Sequence, residues 1–133
     1  MTDLKATVFV CTSCRRRLGE GDGAEAFDKP GAELAADLAA RVADDPSIKV
    51  VAADCLAVCK RPCTVAVTGG GKWTYLVGDL DPVEHIIEIE SAVRAYAATE
   101  NGIVAWKERP QTFRKGVIAR VPPMGYLLPE AAE

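Results

Sequence analysis

Histidine is almost absent: His85 is the single one in 133 residues. Nothing in the sequence sets a nucleophile beside a base, so hydrolytic triads drop out. The chain also lacks a phosphate loop, because Gly69-Gly70-Gly71-Lys72 has neither the spacing nor the following helix, and nucleotide-dependent enzymes drop out with it. No stretch approaches the roughly 18 apolar residues of a membrane span. The opening MTDLKATVFV has no charged leader before a long apolar run. A cytoplasmic protein with no membrane association is therefore expected. Charge of one sign is missing too. Lys and Arg number 16 against 19 Asp and Glu, for a net charge of −3, which excludes the strongly basic balance of a wholesale nucleic-acid binder. The length allows one sizeable core and is too short for two ordinary domains.

Against these absences stand five cysteines, spaced Cys11-x2-Cys14 and, 40 residues on, Cys55-x3-Cys59-x3-Cys63. A reducing compartment argues against structural disulfides, and an odd count leaves one unpaired in any case. Isolated cysteines are often small buried hydrophobes, but five clustered beyond strand ends need a chemical explanation.

Residues 5–10, KATVFV, alternate and are β-branched, so they read as a strand that delivers Cys11 into a loop. The following RLGEGDGAEAFDKPG has four glycines and a proline and reads as a loop with little order of its own. Across residues 32–43, Leu34, Leu38 and Val42 recur at i+4 opposite Glu33, Asp37 and Arg41, an amphipathic helix ended by Asp45-Pro46. The run 48–53, IKVVAA, suits a buried strand and is followed by Cys55. Strand, helix, strand implies a parallel pair with a right-handed crossover, and ligands collect at the carboxyl ends of such strands. Residues 64–67 and 72–77 form an antiparallel hairpin around the three glycines. Asp81-Pro82 starts a second helix, with Val83, Ile86, Ile87, Val93 and Tyr96 as its stripe, ending at Asn101-Gly102. Beyond that point Lys107, Arg109, Arg114, Lys115 and Arg120 face one acid, Glu108, giving a basic extension with many large apolar groups. That extension is expected to pack on its own sheet or across the twofold axis of a homodimer, covering an edge strand.

Three chemistries compete for the cysteines. Two short-spaced pairs on adjacent loops bring four sulfurs to one tetrahedral point or one binuclear core, so zinc and an iron–sulfur cluster both fit. A Cys-x-x-Cys after the first strand, with Pro62 before a later one, also suits a redox dithiol. Against that, RRRLGEGDG does not look like the helix N-terminus that lowers a thiol pKa.

The pair after the first strand, the run CLAVCKRPCTVAV and the strand containing Lys72-Trp73-Thr74-Tyr75 resemble the thioredoxin-like [2Fe-2S] ferredoxins over about residues 4–100. CLAVCKRPCTVAV and GGGKWTYLVGDLDP are more specifically similar to an uncharacterised bacterial family of predicted metal-binding proteins, often encoded near cobalamin-biosynthesis genes. The resemblance implies an α/β, thioredoxin-like fold with a mixed four-stranded sheet and two main helices over residues 1–101, and an extension over 102–133. It also implies that Cys11 and Cys14 hold one iron and Cys55 and Cys59 the other. The protein would then carry single electrons and not act as an enzyme, in support of cobalamin-related metabolism. Zinc or cobalt on the same cysteines, as a metal site or for delivery, is the alternative. The spacing of the first pair is shorter than is usual in these ferredoxins, and Cys63 is an extra sulfur, an alternative ligand or a spare thiol.

Arg15, Arg16, Arg17, Lys60 and Arg61 set five cations beside the sulfurs. They are expected to steady an anionic cluster and to dock an acidic redox partner protein. His85, on the second helix, is read as a structural or exposed residue, and Trp73 and Tyr75 as core or subunit contact.

Overall fold

The computed structural model describes residues 4–13, 16–17, 27–28, 30–57 and 63–125. Strand β1 (Ala6–Cys11) is central. It pairs in parallel with β4 (Ile48–Ala53), from Ala6 opposite Ile48 to Cys11 opposite Ala53, and antiparallel with β5 (Val65–Thr68) on its other side. Ala6, Val8 and Val10 on one face, and Cys11 at the end, are fully buried, while Thr7 and Phe9 on the other face are half-buried. Strand β6 (Thr74–Val77) pairs with β5 to complete the hairpin, whose turn is closed by Gly71 at a φ of +71°.

The sheet has a fifth strand that the four-stranded expectation lacks: β7 (Val117–Val121) pairs antiparallel with the outer side of β6, giving the order β4-β1-β5-β6-β7. Two buried side chains anchor the segment leading to it, Val104 and Phe113. The buried Tyr75 hydroxyl holds the same segment by accepting the Val104 N–H at 3.1 Å. In between lie a 3₁₀ turn at Trp106–Glu108 and one helical turn, α3 (Thr112–Lys115). The glycine-rich loop is also more ordered at its ends than its composition suggests, since β2 (Arg16–Arg17) and β3 (Phe27–Asp28) form a two-stranded ladder.

Helix α1 (Pro30–Arg41) buries Leu34 and Leu38 completely, with Val42 just beyond its end, along the stripe read from the sequence. Full burial of each such side chain contributes about 1.5–3 kcal/mol. The helix begins two residues earlier than the stripe predicts, at a proline whose fixed φ suits a first helical position. Helix α2 (Ile86–Ala97) packs on α1 and on β1, burying Ile89, Val93 and Tyr96. It starts later than Asp81-Pro82 predicts. Asp81 does receive N–H groups, from Val83 and Glu84 at 2.8 Å each, but the turn it organises precedes the regular helix by several residues. Among the described residues no helix is long and apolar enough to cross a membrane.

Candidate metal centre

The parallel pairing of β1 with β4 places their carboxyl ends side by side, and the chain keeps them tied beyond the strands. Cys11 is the last residue of β1, and its N–H donates to the Thr64 carbonyl at 2.9 Å. Next, the Thr12 N–H and hydroxyl both donate to the Ala53 carbonyl, each at 2.9 Å, and the Ser13 N–H donates to the Asp54 carbonyl at 3.1 Å. The Cys11 Sγ lies 4.0 Å from the Asp54 carbonyl and from the Ser13 Oγ. Cys55 therefore leaves β4 within one residue of the backbone that Cys11 touches.

The two thiols differ in exposure, Cys11 being buried and Cys55 exposed. The Cys55 Sγ accepts the Ala57 N–H at 3.2 Å, and that N–H is aimed by an unusual alanine with φ of +62°. That backbone N–H fixes the position of the Cys55 sulfur at the end of β4. Helix α1 supports the same loop from below. A Cβ on Gly31 would sit 1.9 Å from the Cys11 carbonyl oxygen, so only glycine lets the first turn of the helix rest on this backbone.

Cys63 lies at the same end of the sheet, just before β5, and is 1% exposed. Its N–H and carbonyl exchange hydrogen bonds with Leu80, at 3.1 and 3.0 Å. Cys11, Cys55 and Cys63 are in no disulfide. Cys14, Cys59, Arg15, Lys60 and Arg61, and the side chains of Arg16 and Arg17, lie outside the described residues. Among the described residues no three His, Cys, Asp or Glu side chains form a metal-binding group. The two thiols described, at the adjacent ends of β1 and β4, have the chemistry that a thiolate-held metal takes.

His85 is half-buried, and its Nδ1 accepts the Asp81 N–H at 2.9 Å, so it organises the turn before α2. It also lines a cavity of about 200 Å³ with Asp79, Glu88, Thr112 and Lys115. Tyr75 is core, whereas Trp73 is half-buried beneath the guanidinium of Arg120. The sequence carried no signal for the Ala57 contact, since alanine rarely takes a left-handed backbone.

This order of strands and helices is a thioredoxin-like fold, with Cys11 and Cys55 at the ends of its two parallel strands. The chain is a member of the family described as protein of unknown function (DUF1636), whose model matches residues 8–123. Two solved structures from Aquifex aeolicus are similar in fold. One, of a thioredoxin-like [2Fe-2S] ferredoxin, has a TM-score of 0.56 and 20% identity and covers 95% of this chain and 100% of its own. The other, of the wild-type thioredoxin-like [2Fe-2S] ferredoxin at 1.5 Å resolution, has a TM-score of 0.53 and 18% identity, covering 89% and 99%. Comparison with curated proteins finds no match.

Proposed function

We propose that this protein binds a [2Fe-2S] cluster through Cys11, Cys14, Cys55 and Cys59 and carries single electrons, without catalysing a reaction of its own. The observation that carries this reading is the tie between the two cysteine loops, which run hydrogen-bonded to each other past the ends of adjacent parallel strands. The fold that this chain shares with a [2Fe-2S] ferredoxin supports it. When bound, the cluster supplies a one-electron couple. The chain's own part is to present thiolates, to orient the Cys55 sulfur with the Ala57 N–H, and to exclude water from Cys11. Arg15, Arg16, Arg17, Lys60 and Arg61 would offset the negative charge of four thiolates and receive an acidic redox partner. Anaerobic purification tests the reading. Broad visible absorption with iron and acid-labile sulfide in equal amounts is expected. A colourless protein with one equivalent of zinc would replace the electron carrier with a metal-holding protein on the same cysteines.

A further inference from the structure

Away from the cysteines, the segment that crosses to β7 builds a row of arginines on aromatic rings. The Arg120 guanidinium lies 4.6 Å from the Trp73 ring centre, and Arg120 stands opposite Tyr75 in the ladder of β6 and β7. Arg109 lies 5.1 Å from the Tyr75 ring and 5.4 Å from that of Trp106, and Arg114 lies 5.8 Å from Trp106. Two of the three are fixed by more than ring contact. Arg109 donates Nε–H to the Val104 carbonyl at 2.9 Å and Nη2–H to the Tyr75 hydroxyl at 3.1 Å. Arg114 donates to the carbonyls of Trp106 and Lys107 at 3.1 and 3.3 Å.

Among the described residues these cations are held in place without anions. The ion pairs of the described residues join Arg41 and Arg94 to Glu90 and Asp44, and none reaches Arg109, Arg114 or Arg120. Exposed Lys107 adds to the charge, whereas Lys115 shares its cavity with Asp79 and Glu88, and Glu108 is the single acid between residues 103 and 125. A chain with net charge −3 thus carries a preorganised positive strip around Trp106, which is 61% exposed. We infer that this strip is a docking surface for a carboxylate-rich segment of a partner protein.

Planar guanidiniums match carboxylates two bonds at a time, and ones already pinned lose little freedom on binding. A single-stranded nucleic acid would need open aromatic faces on which to stack bases. Here each ring already has a guanidinium over it, so the acidic peptide fits better.

The proposal does not depend on the cluster, because its test reads peptide binding and not iron. The full chain is titrated into a fluorescein-labelled poly-glutamate peptide of about ten residues, at low salt and at about 0.15 M salt, with an oligothymidylate of similar charge in parallel. Salt-sensitive binding of the peptide is expected, weakened about tenfold or more in Arg109→Gln/Arg114→Gln/Arg120→Gln. The charge-matched Lys5→Gln/Arg41→Gln/Lys49→Gln should stay within about twofold of the parent. Equal losses in both triple variants, or tighter binding of the oligonucleotide, would overturn the proposal. Since Arg109 and Arg114 also hold backbone, Arg120→Gln is decisive by itself: it removes a ring contact only, and unchanged affinity in a variant with the parent circular dichroism spectrum sinks the idea.

Discussion

Lys72 ends in a place where lysine is seldom found. Its residue is 8% exposed, and Nζ donates to the carbonyls of Lys5, Tyr96 and Ala97 at 2.9, 3.4 and 3.3 Å, 5.1 Å from the Tyr96 ring centre. Burial first, and the charge of Lys5 second, lower its pKa from 10.5. The folded chain therefore gives up this proton before the unfolded chain does, and the contribution of Lys72 to stability rises with pH in the alkaline range below 10.5. Tyr96 works the other way, its pKa raised from 10.0 by burial, so its contribution is lost as pH climbs past that value. Urea unfolding of Lys72→Met should show about 1–3 kcal/mol less stability at neutral pH, from three carbonyls left without their donor. The rise with pH in the alkaline range below 10.5 should vanish as well. For the sulfurs, Cys55→Ser should abolish iron binding, whereas Cys63→Ser should keep it, as Cys63 is enclosed by core and bonded to Leu80 through its backbone. Iron analysis of both variants checks this, and loss of iron in Cys63→Ser would make that residue a ligand. The cysteines were legible because their spacing is itself a signal. Lys72 was not, because a lysine in a strand sequence argues for solvent until three carbonyls are found around it.

At the level of elements, the contact of α1 with the Cys11 loop is the one most exposed to a small change. Gly31→Ala would drive a methyl group into the backbone carbonyl of Cys11, with nothing flexible to give way. The helix must then tilt or the loop must move, at a cost of about 1–3 kcal/mol. Thermal melting and iron content should both fall. If melting alone fell, the loop would be unaffected and the helix the part that yields. Sequence periodicity found α1 and α2, since Leu34, Leu38, Ile86, Val93 and Tyr96 recur at helical spacing and are buried, but it wrongly put Val83 and Ile87 in the same stripe, both of which are exposed. It erred on where α2 begins. Asp81 followed by Pro82 is a helix start by local chemistry, and Asp81 does accept two N–H groups, yet His85 turns the chain once more before regular helix sets in. It also missed β7, whose VIARV is short and mixed in polarity and gains its identity from pairing with β6.

On the scale of the whole molecule, the stretch after Gly102 completes the sheet. Truncation after Asn101 would remove β7, the buried Phe113 and Val104, and the N–H that satisfies the Tyr75 hydroxyl, while baring the outer side of β6. A lower urea midpoint together with aggregates in size-exclusion chromatography is the expected result. A truncated chain as stable and as monodisperse as the parent would show that the five-stranded sheet does not need its last strand.

With β7 in place the sheet of the described residues ends in β4 at one side and β7 at the other. Head-to-tail stacking of copies along these sides would have no reason to close, and would grow into a fibre. Both sides carry a cation, however: Lys49 is exposed on β4 and Arg120 on β7, with Pro122-Pro123 directly after that strand. Each new subunit would bring like charges together and meet residues that cannot donate to a ladder, so growth is opposed at its first step. The same arginine that faces outward for a partner thus keeps the molecule from polymerising on itself, a protection that added salt would weaken.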